Sequence, residues 1–268
     1  MNASYSAVYA RLYRCHWWWR VRESLILRRV AEILGPSSEP ASILDVGCGA
    51  GLLFDELRRY GDVSGVEADL VAIEHSGRWQ SRIHHGELDA TYAPSRRFDL
   101  ILLLDVIEHV DDPVALLREA GKRLRDGRSH VLVTVPAFEW LWTSHDNINQ
   151  HLRRYTDWQL RDDLNSAGLR VVDSRYLFQS LIIPKLLVRL KETLLPSALA
   201  VPTVPSHYIN AFLQGWYFVE NAVAGWMPFG TSIMALATKQ ELAPPTDEER
   251  SAATSNQPML DGPRAPIV

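Results

Sequence analysis

Cysteine is scarce in this chain. Two thiols in 268 residues, Cys15 and Cys48, make neither a disulfide framework nor a zinc-ligand spacing, so a reducing cytoplasm is the expected compartment. A basic excess is also lacking. The net charge of −4 gives none of the cationic footprint of a nucleic-acid binder, and no nucleic-acid partner is expected. Long apolar runs are missing as well. The opening segment "MNASYSAVYARLYRCHWWWRVR" has no signal-peptide core, and no later stretch offers the roughly 18 uncharged apolar residues of a membrane span. The expectation is a protein neither secreted nor membrane-spanning, long enough to bury a substantial core.

What is present is an alternation of strand and helix signals. Residues 21–34 have near-helical apolar spacing and stop at Gly35-Pro36. "SILDV" is a buried strand, "LLFDELRRYG" a helix closed by Gly61, "VSGVEA" a second strand and "RIHHGEL" a weaker third. "FDLILLLD" is a fourth, apolar enough to be covered on both faces. A helix follows from Pro113 to Leu124, then the strand "HVLVTVP". Thr156 and Gln159 form a capping box for a helix ending at Gly168. "LRVVDSRY" and "TSIMALAT" complete the strands. This order predicts an α/β, doubly wound parallel sheet. An apolar, proline-broken helical insertion of about 177–229 separates the last two strands. A single domain is expected over residues 1–240, with an N-terminal helical cap at 1–36 and a disordered polar tail at 241–268.

The densest signal is "ILDVGCGAGL". Gly47, Gly49 and Gly51 sit at the carboxyl end of the first strand, where ligands bind in such sheets and where missing Cβ atoms let a ligand approach the backbone. Glu67 ends the second strand 20 residues after Gly47, placed to accept hydrogen bonds from ribose hydroxyls. The dinucleotide pattern G-x-G-x-x-G is not met, because the third glycine falls one residue early. Asp45 beside the loop would repel a pyrophosphate but suits an ammonium or sulfonium group. A nicotinamide-dependent oxidoreductase is therefore the disfavoured alternative. A non-catalytic binding module of the same fold is a second one.

"ILDVGCGAG", "GVEAD" and "FDLILLLDVIEHVDDP" resemble, in order and spacing, the signature segments of class I S-adenosylmethionine-dependent methyltransferases, over roughly residues 40–175. The resemblance implies a Rossmann-like, seven-stranded sheet with its last strand antiparallel. It implies that Asp45 and the loop Gly47, Cys48, Gly49 and Gly51 hold the amino-acid end of S-adenosyl-L-methionine. Glu67 would bind the ribose, Ala68 and the pair Glu87-Leu88 would lie at the adenine, and Leu104 and Asp105 would pass beside the methionine portion. "CHWWWRVRE" and "WTSHDNINQHLRRYT" resemble two further segments of bacterial small-molecule members of the methyltransferase type 11/12 kind.

Chemistry beyond the cofactor rests on side chains after the fourth and fifth strands. A hydroxyl acceptor benefits from a general base, and His145, with Asp146 as neighbour, His151 and Tyr155 are the candidates; loop capping and pairing with Arg153 or Arg154 is the alternative. His109, Trp17, Trp18 and Arg20 are candidates for lining the substrate or a lid; the alternatives are that Glu108-His109 simply starts the following helix, that the tryptophans pack the N-terminal helix onto the sheet, and that Arg20 is a solvated charge. His145, Asp146 and His151 are metal-ligand types, but their spacing matches no zinc pattern and no metal is expected. The expected reaction is methylation of a small-molecule acceptor at oxygen. For the insertion, packing as core or lid ranks first; the others are dimer packing and contact with a lipid-linked acceptor or the inner face of a membrane.

Overall fold

The computed structural model describes residues 10–36, 39–195 and 203–240. The expected tail at 241–268 lies outside the described residues. Seven strands form one sheet in the order β3-β2-β1-β4-β5-β7-β6. They are β1 (Ala41–Val46), β2 (Gly61–Glu67), β3 (Ile83–His85), β4 (Leu100–Leu104), β5 (His130–Pro136), β6 (Leu169–Leu177) and β7 (Ser232–Lys239). β7 runs antiparallel to both β5 and β6, while the neighbouring pairs from β3 to β5 are parallel. This is the doubly wound arrangement expected from the alternation of elements, in the Rossmann-like, seven-stranded form with an antiparallel last strand that the resemblance implied. The strand order reverses between β1 and β4, which opens a crevice at their carboxyl ends.

The central strand β4 carries Leu100, Ile101, Leu102 and Leu103, each fully buried. They alternate between the cores on the two faces of the sheet. Burial of one such side chain is worth roughly 1.5–3 kcal/mol. Helix α1 (Trp17–Leu34) packs on one face, capped by His16, whose ring accepts from the Trp18 N–H at 3.2 Å. It begins four residues before the apolar pattern suggests, because Trp17 and Trp19 are buried within that first turn. The helix after the glycine loop is shorter than expected. Only α2 (Phe54–Leu57) is regular, and Gly61 opens β2 rather than closing the helix. A Cβ at Gly61 would stand 2.0 Å from the Ala41 carbonyl oxygen, so the close approach of β2 to β1 requires glycine there.

Next come α3 (Leu70–Glu74), α4 (Pro113–Arg123), α5 (Ser144–Asn149) and α6 (Asp157–Ser166), the last with its capping box from Thr156 and Gln159. The insertion is helical: α7 (Ile182–Leu194) and α8 (His207–Val223) lie between β6 and β7. Its packing is looser than the first-ranked core reading, since α7 buries no residue and α8 buries Tyr217 and Asn221. Tyr217 stacks on Trp17 with ring centroids 4.6 Å apart, and Asn210 accepts from the Trp17 N–H at 2.8 Å. No helix among the described residues is long and apolar enough to cross a membrane.

Candidate active site

A cleft of about 2390 Å³ opens at the carboxyl ends of β1, β2, β4 and β5. Its first wall is main chain. Gly47 and Gly49 have φ of 67° and 54°, a region that L side chains rarely adopt. A Cβ on Gly47 would meet Val106 Cγ2 at 2.7 Å, so this glycine seats the loop against the segment after β4. Among the described residues a Cβ on Gly49 would meet no atom within 4 Å; the space there faces the cleft that Gly49 lines. Glu67 holds the loop in place, accepting from the Gly49 N–H at 2.7 Å and the Asp69 N–H at 2.8 Å.

Asp45, Cys48, Ala68, Glu87, Leu88, Leu104 and Asp105 line the same cleft. Gly51 does not: its φ of 67° serves the turn, and a Cβ there would crowd the Phe54 ring at 3.3 Å. Burial raises the Asp45 carboxyl to about 7, with the Arg22 guanidinium opposing that rise and Glu67 adding to it. Burial likewise pushes the Cys48 thiol up, which makes it a packing residue rather than a nucleophile. Asp105 sits at φ 59° and is held from two sides. Its carboxylate pairs with Arg22 at 2.8 Å and accepts from the Thr134 hydroxyl at 2.9 Å, and Arg22 also donates to that hydroxyl at 2.9 Å.

Arg22 was not among the expected site residues, and helical phase would have revealed it. Trp18 and Arg22 are four residues apart and share a helix face, with the guanidinium 5.7 Å from the Trp18 ring centroid. Arg20 falls on another face. It pairs with Glu23 at 2.9 Å and does not line the cleft, which corrects its assignment to the substrate side. Trp17 and Trp18 line the cleft, as does Trp19, and Trp17 at 7% exposure is chiefly a packing residue between α1 and α8.

The second wall is built from side chains far apart in sequence. Asp146, fully buried, accepts from Arg154 Nε at 2.9 Å and Nη2 at 2.9 Å, and pairs with His151 Nδ1 at 2.8 Å. These partners hold its carboxyl well below the usual carboxylate range, despite burial. The His145–Asp146 pairing expected from their adjacency does not form. His145 Nε2 lies 3.0 Å from the Asn149 amide nitrogen, and burial lowers the ring to about 4. Tyr155 is excluded from the cleft; its backbone bridges to Ala137 and its ring belongs to the core. The histidine that a carboxylate orients toward the cleft is therefore His151.

His109 and His151 meet with ring centroids 4.9 Å apart, beside Glu108, and all three line the cleft. Glu108 is fully buried and raised well above its ordinary value by that burial and by the Asp105 charge. Leu181, Pro184, Lys185 and Val188 of the insertion close this end. Burial pulls the Lys185 ammonium down to about 8, with Arg154 adding to the fall and Asp146 and Glu192 opposing it. Glu192 anchors α7 across the cleft, accepting from the Ser144 N–H at 3.0 Å and its hydroxyl at 2.6 Å.

The family model of the methyltransferase domain matches residues 18–174, from α1 into β6. The chain belongs to that family. Curated relatives of this methyltransferase chain include the mitochondrial ubiquinone biosynthesis O-methyltransferase of Candida albicans, 27% identical over 58% of this chain and 55% of that protein. The ubiquinone biosynthesis O-methyltransferase of Ruegeria pomeroyi is 29% identical over 50% of this chain and 61% of that one. The chain thus spans about half to three fifths of the length of these two relatives. Among solved structures, a candidate sarcosine dimethylglycine methyltransferase from Galdieria sulphuraria superposes with a TM-score of 0.54 at 14% identity, covering 82% of this chain and 87% of that one. An S-adenosylmethionine-dependent methyltransferase from Archaeoglobus fulgidus gives 0.51 at 16% identity, covering 81% and 94%. These two likenesses show the fold.

The cofactor is S-adenosylmethionine, and the first wall fits it. The open space at Gly49 admits a ligand against bare backbone, and Glu67 ends β2 with a half-exposed carboxylate. Asp45 is a buried acid that a ligand ammonium would complement.

Proposed function

We propose that this protein transfers a methyl group to an oxygen of a small, largely apolar acceptor. When bound, the cofactor supplies an electrophilic methyl group on a sulfonium. The observation that carries the proposal is the continuity of the two walls: the glycine loop with Glu67 and the His109–His151 pair line one cleft. Trp18, Leu116, Leu181, Pro184 and Val188 make the intervening lining apolar, which favours an acceptor with hydrocarbon or aromatic surface and helps exclude water. The relatives' names support oxygen as the accepting atom.

In this reading Asp45 and the loop through Gly49 hold the amino-acid end of the cofactor, and Glu67 holds the ribose. Ala68, Glu87 and Leu88 flank the adenine; Leu104 and Asp105 flank the methionine portion. Arg22 and Thr134 keep Asp105 in its strained conformation. The acceptor's proton is handled at the Glu108–His109–His151 cluster, with Asp146 and Arg154 fixing the His151 ring. His145 is neutral at pH 7 and lines the acceptor end.

The exposed faces of α7 and α8 bring a lipid-attached acceptor within the proposal. Ile183, Leu187, Leu194, Phe212, Val219 and Val223 are each more than half exposed. The protein acts in the cytoplasm and touches the inner face of the membrane through this insertion. Labelled-methyl transfer from S-adenosylmethionine to panels of hydroxy-aromatic compounds and lipid extracts tests the reaction. Cofactor binding without turnover on any hydroxyl acceptor would favour the non-catalytic module instead. Sedimentation with anionic vesicles tests the membrane contact. Wild type should pellet and the paired Leu187→Glu, Phe212→Glu variant should not; wild type remaining in solution would refute it.

A further inference from the structure

Glu108 presents an unusual combination. It is 0% exposed, lines the cleft, and neither carboxylate oxygen has a hydrogen-bond partner among the described residues. A buried polar group left unsatisfied costs about 1–3 kcal/mol, so a carboxyl with both oxygens bare points to something that completes it. Its immediate neighbours are two imidazoles. One ligand-type atom from each of Glu108, His109 and His151 lies within 4.8 Å of the others.

The outer shell of the cluster is already in place. His151 Nδ1 sits 2.8 Å from Asp146 Oδ1, and Asp146 is clamped by Arg154. That bond commits Nδ1 as the donor and leaves Nε2 as a lone-pair acceptor. His109 Nδ1 faces the Gln150 carbonyl oxygen at 3.4 Å, which favours the same tautomer. A ligating histidine characteristically donates its second ring N–H to a carboxylate or a backbone carbonyl, and this cluster shows one of each. Backbone contacts tie the ligand segments together: the Leu152 N–H donates to the Glu108 carbonyl at 2.8 Å, and the His151 N–H donates to the Asp146 carbonyl at 3.0 Å.

We propose that Glu108, His109 and His151 bind one divalent first-row transition-metal ion and leave a coordination position open to the cleft. Two imidazoles and one carboxylate are ligands that zinc and manganese accept, and three protein ligands with an open position is the pattern of catalytic rather than structural zinc. Ligand atoms around zinc stand roughly 3.3 Å apart, so the cluster closes by up to about 1.5 Å on loading. His109, exposed at the rim, supplies that freedom through side-chain rotation. Sequence spacing pointed away from metal because it considered His145, Asp146 and His151. In the fold Asp146 is spent on Arg154 and His151, only His151 of those three joins the cluster, and the other two ligands, Glu108 and His109, come from the segment after β4.

The site itself stands on this geometry alone. Its role rests on the methyl-transfer reading above: the open position would take the acceptor's hydroxyl oxygen and lower its pKa, as zinc does for water, the proton leaving to solvent.

The full-length protein, stripped with chelator and dialysed, is titrated calorimetrically with zinc and separately with manganese, the latter followed by electron paramagnetic resonance. One equivalent should bind. Glu108→Gln, His109→Ala and His151→Ala should each weaken it at least tenfold while S-adenosylhomocysteine affinity stays within about twofold. No binding by the wild type, or equal binding by the three variants, would overturn the site. Glu108→Gln preserves shape, so its retained homocysteine-product affinity certifies folding if a histidine variant misfolds. Metal binding without methyl transfer would leave the site standing and remove only its role. Methyl transfer by a protein that takes up no metal would remove the site together with its role and leave the methyl-transfer reading standing.

Discussion

The two walls of the cleft are made of different material. The wall formed by the loop after β1 and the end of β2 is backbone held by backbone, with Glu67 closing it through two main-chain donors. The wall formed after β4 and β5 is side chain held by side chain, with Asp146 at its centre and partners from residues 151 and 154. A main-chain wall is insensitive to most substitutions and intolerant of added bulk. A side-chain wall is chemically versatile and depends on buried charge. This asymmetry suits a fixed cofactor and a variable acceptor.

Breaking each wall in its own way sharpens the contrast, and the largest effect is expected at Gly49. Gly49→Val should reduce S-adenosylhomocysteine affinity by at least a hundredfold while circular dichroism stays native, because the new side chain projects into open cleft at a strained φ of 54°. Retained affinity would remove the loop from the site. On the other wall, Arg154→Met should cost about 3–5 kcal/mol of stability, since it strands the buried Asp146 carboxylate. Denaturant unfolding measures it, and a loss below about 1 kcal/mol would mean that the pair is not the wall's support.

A smaller, pH-dependent effect is expected at Asp45. Its folded value of about 7 lies above the roughly 3.9 of an unfolded Asp, so the folded chain holds the extra proton between those values. Stability is therefore expected to decline as pH rises from about 4 to 7 and to level off above, through this group. A cationic ligand group favours the ionised form, so cofactor-product affinity should rise from pH 6 to 7. It should fall again above about pH 8, as the ligand's own α-amino group loses its proton. Asp45→Asn should flatten the rising limb; an unchanged slope would place the ammonium elsewhere. The smallest effect belongs to Arg20→Ala, within about 1 kcal/mol in stability and twofold in affinity, since the Arg20 side chain is itself 42% exposed, although its partner Glu23 is buried, and the pair stands outside the cleft.

The same difference of material explains what was legible in the sequence. A main-chain wall leaves local signals, because Gly47, Gly49 and Glu67 stand at set distances along two consecutive strands. The sheet was readable for the same reason: each strand carries its own apolar run, and a capping residue such as Thr156 acts within its own turn. The acceptor wall leaves no such trace. Adjacency suggested His145 with Asp146, whereas neighbouring helix positions point about 100° apart, and the left-handed Gln150 that ends the helix turns the chain so that His151 meets Asp146 across five positions. Tyr155 looked available because sequence does not show that the strand-like bridge to Ala137 turns it into the core. Glu108 looked like a helix opener until its burial and its bare oxygens were seen beside two histidines. In the insertion, apolarity was visible but its direction was not; α7 walls the cleft with Leu181 and Pro184 nearby while Ile183 and Leu187 face outward.

The central claim is that the main-chain wall is an S-adenosylmethionine site. Calorimetric titration of the full-length protein with S-adenosylhomocysteine, in parallel with NAD, tests it directly. The account predicts micromolar binding of the first at one equivalent and none of the second. Binding of NAD with no response to S-adenosylhomocysteine would contradict it.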